Sequence, residues 1–329
     1  MGGIGKTTLA QALGDHISHK FDATCFVSDL KDEICTVTLK YQSKDMQDMP
    51  SQPRSLIETR EMLKGVQKTR RILIVVDNVS KPSQLHQLMD SMDNHFDGSH
   101  KLITSSRDWS SLEQHVPKAG KVDMQTLDGN QPMELFLMHA FGTNQSCSTY
   151  LKHVVEKIVD ACHGLPLSLK MMGTCMQGEQ RLRIWERTLQ RLLRARHDGS
   201  HDKKIWETLK ISFEKLNDQE KNMFLDIACF FHKDVYLDDL YEKIFLRKFH
   251  RNINIAQELL ESLQNKSLLK VHDNGDIDMH DQLRDMGRMI TETNEFAGTR
   301  IWNLCYSTFA NHCKQKVCGL TFVEIDGCY

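Results

Sequence analysis

The glycine-rich run at the start of the chain constrains the fold more than any other feature. Residues 2–8 read GGIGKTT, the second half of the pattern G-x-x-x-x-G-K-S/T, whose first glycine would fall one position before Met1. Glycines let backbone N–H groups turn towards a phosphate, and residues 8–13 predict a helix whose N-terminus faces that anion. The alternative is a glycine-rich tail that happens to precede a helix. We predict a phosphate-binding loop, which is normally held between a buried strand and a helix.

The loop residues are predicted to bind a nucleoside phosphate with Mg²⁺. Lys6 is predicted to reach the β- and γ-phosphates, and the Thr7 hydroxyl to bind Mg²⁺. Backbone N–H groups are predicted to bind the remaining phosphate oxygens. The predicted cofactor-binding residues of the loop are Gly2, Gly3, Gly5, Lys6, Thr7 and Thr8.

A second nucleotide-binding signal lies in residues 71–77, RILIVVD. A continuous β-branched run of this kind is typical of a parallel strand buried on both faces. Asp77 then lies at the carboxyl end of the strand, where the Mg²⁺-binding carboxylate of a phosphate-loop enzyme is found. Asn78 takes the place of the second acid that orients the attacking water in many such hydrolases, and an amide cannot accept a proton. We therefore predict slow hydrolysis, as in a switch rather than a motor.

Strand and helix signals alternate through the first third of the chain, which indicates a parallel α/β sheet. Strands are predicted at 25–30, 71–77 and 101–106, and helices at 55–68 and 81–92. From about residue 130 only helices follow, at 131–141, 149–162, 166–177, 180–196, 203–211, 217–230 and 254–264. Residues 268–272 and 277–280 then predict a β-hairpin, and helices followed by one hairpin resemble a winged helix.

Composition argues against several classes of protein. The chain has 42 basic and 44 acidic residues, which argues against nucleic acid or an anionic membrane as partner. No apolar run approaches the roughly 18 residues of a membrane-spanning helix. Ten cysteines without a C-x-x-C pair indicate reduced thiols in a cytoplasmic or nuclear protein. A group near the C-terminus invites a zinc interpretation, but its spacing matches no zinc pattern, so we predict free cysteines: Cys305, His312, Cys313, Cys318 and Cys328.

The arginine-rich segment 180–197 has two interpretations, a nucleic-acid patch or an amphipathic helix. Leu182, Trp185, Leu189 and Leu192 recur at helical spacing, which favours a helix with one buried face and solvated arginines.

Several motifs occur in a recognisable order. They are MGGIGKTT, FDATCFVSDL (21–30), ILIVVDNV, GSHKLITSSRD (98–108), LFLMHAF (135–141), CHGLPLSLK (162–170), FLDIACFF (224–231) and MHDQLRDMG (279–287). Together they resemble the NB-ARC region of plant disease-resistance receptors with nucleotide-binding and leucine-rich-repeat domains, over roughly residues 1–302. FLDIACFF and Ser80 resemble the subclass that carries an N-terminal TIR domain.

The resemblance implies roles for four further residues. Arg107 would sense the γ-phosphate, the alternative being a surface ion pair with Asp108. Pro166 would pack on the adenine edge while starting a helix, a position that proline also takes for purely structural reasons. His280 would touch the β-phosphate of ADP, and Asp281 would orient the chain beside it.

The resemblance also implies an organisation for the chain. An α/β phosphate-loop NTPase domain (1–126) would be followed by a helical domain (127–202), a winged-helix domain (203–297) and a linker towards leucine-rich repeats (298–329). No strand precedes the loop, although the family places one in the middle of its sheet. We therefore expect a fragment of a longer receptor, lacking the TIR domain, the first sheet strand and most or all of the repeats.

The implied function is an ADP/ATP-binding switch of an intracellular plant immune receptor, closed and off with ADP and open and on with ATP. Its partners would be the adenine nucleotide, the TIR and leucine-rich-repeat domains of the receptor, and further copies of itself when active. Three alternatives stay open: a slow ATPase, a winged-helix DNA-binding regulator of the same NTPase superfamily, and a non-functional truncated gene product.

Overall fold

The computed structural model covers the loop, the sheet and most of the helices. It describes residues 2–28, 34–41, 49–55, 57–59, 61, 63, 71–89, 100–113, 120–142, 147–196, 201–230, 253–271 and 277–292. None of the helices within these ranges is long and apolar enough to cross a bilayer. The predicted linker and the C-terminal cysteine group lie outside them, as does most of the helix predicted at 55–68.

A five-stranded sheet forms the first lobe. Its strands are β1 (Ala23–Ser28), β2 (Ile34–Tyr41), β3 (Met49–Ser55), β4 (Ile72–Val79) and β5 (Lys101–Ser106), in the order β3-β2-β1-β4-β5. Strands β1, β4 and β5 run parallel, which confirms the α/β prediction. Strands β2 and β3 pair antiparallel and were not predicted. Pro50 and Pro53 argue against a strand locally, but β3 is an edge strand, where prolines are tolerated.

Strands β4 and β5 pair directly, from Leu73 opposite Lys101 to Val76 opposite Thr104. Residues 72–76 of β4 are at most 1% exposed, as expected for a central parallel strand. The family resemblance places a strand ahead of the loop in the middle of the sheet, and we expected this chain to lack it. Among the described residues, β4 and β5 pair directly with each other.

Helices cover both faces of the sheet. They are α1 (Lys6–Ile17, followed by a 3₁₀ turn at Ser18–Lys20), α2 (Pro82–Met89) and α3 (Ser110–Glu113). Ala10 of α1 packs with Leu73 and Val75 on one face. On the other face, Leu85 and Leu112 from α2 and α3 pack against alternate strand residues. Because the helices cover the faces of the sheet, a ligand site is expected at the carboxyl ends of the parallel strands.

The second lobe is helical. It contains α4 (Gln131–Phe141), α5 (Lys152–Ala161), α6 (Pro166–Cys175), α7 (Leu182–Arg196) and α8 (His201–Glu214). In its core Trp185 stacks on Phe141, with ring centroids 5.8 Å apart. Leu189 and Leu192 are buried beside Trp185, which confirms the amphipathic interpretation of the arginine-rich segment. Leu182, the first member of the predicted stripe, is 38% exposed.

The third lobe contains α9 (Asp218–Phe230), α10 (Ile253–Asn265), β6 (Lys270–Val271), β7 (Ile277–Asp278) and α11 (Asp281–Glu292). The predicted hairpin is confirmed by the antiparallel pairing of β6 with β7, over fewer residues than predicted. Helix α11 was not predicted. Leu283, Met286 and Ile290 are buried along it at helical spacing, and this spacing is the signal that the sequence analysis missed.

Glu220 ties the start of α9 to α10. Its carboxylate accepts a hydrogen bond from the Asn217 N–H (3.0 Å), while its own N–H donates to Asn217 Oδ1 (2.9 Å), a reciprocal cap. Ser262 of α10 and Lys266, the residue directly after that helix, also donate to this carboxylate. Burial alone raises the pKa of the Glu220 carboxyl, but the hydrogen bonds from Lys266, Ser262 and the Asn217 N–H outweigh it and lower the pKa.

Glu220→Gln is expected to lower the free energy of unfolding by about 1–3 kcal/mol at neutral pH, because it removes charge-assisted bonds at a buried position. A lowered pKa in the folded state stabilises above the unfolded-state pKa of about 4.3, and this contribution disappears as pH falls through the folded-state pKa. The mutant and the parent should therefore converge in acid. Urea unfolding at several pH values measures this.

Glu214→Gln is the matched control, because Glu214 pairs with Arg191 at the surface, where ion pairs contribute little. Equal destabilisation by the two substitutions would contradict the role given to Glu220.

Candidate nucleotide site

The phosphate loop has a backbone that only glycine adopts easily. Gly3 and Gly5 have φ angles of 69° and 93°, in the left-handed region. Gly5 precedes α1, and its carbonyl accepts the first helical hydrogen bond from the Leu9 N–H (2.9 Å). Gly5 has no side chain that could cap α1, and the first turn of α1 contains no acidic residue. A helix start without a side-chain cap or an acid is the kind of N-terminus that suits an anion.

Thr7 and Asp77 come together as the Mg²⁺ hypothesis requires. Thr7 Oγ1 donates to Asp77 Oδ2 (2.7 Å), and Asp77 is only 5% exposed. The other carboxylate oxygen, Oδ1, accepts from the hydroxyl of Ser105 at the end of β5. A hydroxyl and a carboxylate are oxygen ligands of the kind that Mg²⁺ prefers, so these residues fit the ion. Ser105 was not predicted as a site residue, but the parallel pairing of β4 with β5 brings its hydroxyl to Asp77.

Lys6 lies half-buried among charged groups. Burial lowers the pKa of its ammonium, and the charge of Arg107 lowers it further, while the carboxylates of Asp77 and Asp281 act in the opposite direction. Two cationic side chains beside a helix N-terminus suit a polyphosphate.

Arg107 pairs with a residue 174 positions further along the chain. Its guanidinium donates to Asp281 Oδ2 (2.9 Å) at the start of α11. Among the described residues, the ion pair of Arg107 is thus with Asp281, while the Asp108 carboxylate accepts hydrogen bonds from Ser110. Asn78 Nδ2 also donates to Asp281 Oδ2 (3.1 Å). The third lobe is thus bonded to the ends of β4 and β5.

The residues on either side of Asp281 shape the same junction. The ring of His280 is exposed, and its Nδ1 accepts from the Gln282 N–H (3.2 Å), so that it caps its own helix. A Cβ on Gly2 would lie 2.1 Å from Nε2 of Gln282. The side chain of Gln282 therefore occupies space that is open only because residue 2 is glycine. Its Oε1 is buried and has no hydrogen-bond partner among the residues that the structure describes.

The second lobe contacts the loop from another side. The Leu167 N–H donates to the Gly3 carbonyl (3.1 Å), and a Cβ on Gly3 would lie 2.8 Å from Leu167 Cβ. Pro166, the first residue of α6, has Cγ 4.0 Å from the position of a Cβ on Gly5. Ile4 is buried in one cluster with Leu167. The phosphate loop therefore lies between α6 and α11.

Three parallel strands in a mixed sheet, a glycine loop before α1 and an aspartate at the end of β4 define a phosphate-loop nucleotide-binding protein. Comparison with known families gives two matches. Residues 1–146 match the NB-ARC domain, and residues 217–294 match the winged-helix domain of Roq1-like disease resistance proteins. These matches confirm the predicted resemblance to the NB-ARC-containing disease resistance proteins of plants.

Its relatives carry the same description. It is 29% identical over 321 residues to disease resistance protein RUN1 of Vitis rotundifolia, covering 93% of this chain and 22% of that protein. It is 27% identical to TMV resistance protein N of Nicotiana glutinosa, covering 92% and 26%. For disease resistance-like protein DSC1 of Arabidopsis thaliana the identity is 29%, covering 91% and 24%. The chain thus spans about a quarter of the length of these relatives.

Proposed function

We propose that this chain is the nucleotide-dependent switch of a plant immune receptor, closed with ADP and open with ATP. The bonds from Arg107 and Asn78 to Asp281 carry the proposal. They join the third lobe to the nucleotide-binding lobe beside the residues that would hold the phosphates. A ligand changes such an equilibrium only by interacting differently with the two arrangements. ATP differs from ADP by the negative charge of the γ-phosphate, which would lie beside these bonds.

The roles follow from the geometry and the resemblance. The N–H groups of residues 2–8 and the Lys6 ammonium would bind the phosphates, while Pro166 would face the adenine and His280 the β-phosphate. Thr7 and Asp77 would hold Mg²⁺, which supplies positive charge to the phosphate oxygens. The side chains of Arg107 and Asn78, which bind Asp281 in this structure, would release it when Arg107 turns to the nucleotide.

Several such contacts are needed for a complete switch. A hydrogen bond to a charged group contributes about 1.5–3 kcal/mol, and the Arg107–Asp281 pair is partly exposed, at 43% and 31%, so it lies towards the lower end. A change from 1:99 to 99:1 requires about 5.5 kcal/mol. Asp281 would therefore be one of a group of contacts, together with Leu167 and Gln282.

The state of the switch would be set mainly by exchange of ADP for ATP, and less by hydrolysis of ATP. The Asn78 amide donates to Asp281 and cannot accept a proton from water. We therefore propose slow ATP hydrolysis. The TIR and leucine-rich-repeat domains, the oligomer formed on activation and a cytoplasmic or nuclear location remain proposals carried by the family resemblance.

The test compares the purified chain in ADP with the same chain in a non-hydrolysable ATP analogue. Isothermal titration gives the two affinities, and small-angle X-ray scattering gives the shapes. We expect tight ADP binding and a larger radius of gyration with the analogue. Equal shapes in both nucleotides, or no binding of either, would refute the switch.

In a full-length receptor containing this chain, Asp281→Val is expected to raise signalling without a pathogen, about tenfold, because both Arg107 and Asn78 lose their acceptor. His280→Ala should act in the same direction. A cell-death reporter normalised to protein level measures both. Asp15→Val, at an exposed position of α1, is the control and should leave signalling at the parent's level. Unchanged signalling in the Asp281 variant would contradict the role of this contact.

A further inference from the structure

The side chain of Asn78 is held in one orientation by its own backbone. Asn78 is the next-to-last residue of β4 and has φ at 58°, in the left-handed region that asparagine tolerates better than most residues. Its N–H donates to Ser105 Oγ (3.0 Å) in the neighbouring strand. The same serine hydroxyl donates to Asp77. The backbone that presents the Asn78 amide is therefore tied to both parallel strands.

The amide is directed at the third lobe. Asn78 Nδ2 lies 3.1 Å from Asp281 Oδ2, the same oxygen that accepts from the Arg107 guanidinium at 2.9 Å. One carboxylate oxygen thus accepts one neutral and one cationic donor. The two donors come from the ends of adjacent strands, β4 and β5.

A carboxylate at position 78 could not make this contact. It would be an acceptor only, and it would face Asp281 Oδ2 at hydrogen-bond distance, where two like charges repel. Other carboxylates are already close to this contact. Asp77 directly precedes position 78, and the charge of Asp281, after burial, helps to raise the pKa of Asp285. The Lys6 ammonium lies near Asp77 and Asp281, and Arg107 pairs with Asp281, while Arg107, Arg288 and Arg284 act on Asp285. An amide is thus the isosteric side chain that permits closure.

We propose that Asn78 is a positioning residue that holds the third lobe against the nucleotide-binding lobe, and that its amide biases this chain towards the closed arrangement. The inference rests on the proposed function in identifying the closed arrangement with the ADP state. Asparagine in place of a second acid at position 78 would thus have a regulatory effect as well as slowing hydrolysis. An acid at position 78 would weaken closure by repulsion; this amide strengthens it by donation.

The test is a double-mutant cycle in the full 329-residue chain, with Asn78→Asp, Asp281→Asn and the two combined. The exchange in the double mutant restores an amide facing a carboxylate, with donor and acceptor reversed. We expect each single variant to lower the ratio of ATP-analogue to ADP dissociation constants about tenfold, and the double mutant to recover a substantial part of this loss. Urea unfolding without nucleotide gives a second cycle, in which the double mutant should be more stable than the sum of the single changes predicts.

Asn78→Gly separates the two effects, because glycine accepts the positive φ and removes the amide without adding charge. It should fall between the parent and Asn78→Asp. If the double mutant loses the sum of the single losses in both cycles, the inference is overturned.

The experiments distinguish a failure of the proposed switch from a failure of the role given to Asn78. A parent that binds neither nucleotide, or has one shape in both, refutes the switch, while a coupling in the urea cycle would still support the contact. A parent that switches but shows no coupling in either cycle overturns the role of Asn78 and leaves the switch intact.

Discussion

Lys6→Ala is expected to weaken the binding of ADP and of ATP by about 100-fold. The ammonium lies at the start of α1, where the glycine loop supplies N–H groups but no other side-chain cation. A hydrogen bond from a charged donor to a phosphate contributes up to about 3 kcal/mol, and each 1.4 kcal/mol corresponds to a factor of ten. Isothermal titration of the purified variant with each nucleotide measures the loss.

The same substitution should not damage the empty protein. Burial and the Arg107 charge both lower the pKa of Lys6, which means that its charge is disfavoured where it lies. Without nucleotide, the melting temperature of Lys6→Ala is therefore expected to equal or exceed that of the parent. Lys20→Ala, at an exposed position of the 3₁₀ turn, is the control for binding. Parent-like ADP affinity in the Lys6 variant would contradict the assignment of the phosphate loop.

Gly164→Ala is expected to lower the free energy of unfolding by about 3 kcal/mol or more. Gly164 has φ at 66°, which costs an alanine about 1–2 kcal/mol. A Cβ there would also lie 2.1 Å from the carbonyl oxygen of Leu127. Relief of that clash moves the backbone and breaks the bond from the Leu127 N–H to the Gly164 carbonyl (2.8 Å), at about 1 kcal/mol more. Urea unfolding followed by circular dichroism measures the difference.

Gly178→Ala is the matched control, because Gly178 has a similar φ of 74° but nothing lies within 4 Å of the added Cβ. Gly178→Ala should lower the free energy of unfolding only by the cost of a positive φ at alanine, about 1–2 kcal/mol. If the two alanine variants are equally stable, the packing of Gly164 on Leu127 contributes nothing.

The sequence predicts best those elements whose signal is local. Helix α4 begins and ends where predicted, at Gln131 and Phe141, since a proline near its start and Gly142 after its end mark the boundaries. The phosphate loop and Asp77 were found by motif and come together through Thr7. Strand β3 was missed, because its prolines are unfavourable in a strand and only its edge position makes them acceptable.

Contacts between the lobes could not be predicted in the same way. For Arg107 the sequence offered the γ-phosphate or, as the alternative, an ion pair with Asp108, whereas Asp281 becomes the partner only when the start of α11 lies beside Arg107. No periodicity or spacing relates positions so far apart. Likewise, the close approach of Gln282 to Gly2 depends on how two lobes pack. The sequence predicted a role for Gly2 only in binding phosphate.

The burial of Ile4 has a consequence for how the molecule opens. Ile4, in the middle of the phosphate loop, is 7% exposed and shares one apolar cluster with Leu165 of the second lobe and Leu283 of the third. Exposing it to solvent disrupts the packing of both lobes, so the loop should not fray by itself as surface loops do. In hydrogen exchange, the amides of α1 and α11 should thus lose protection together, as one cooperative unit.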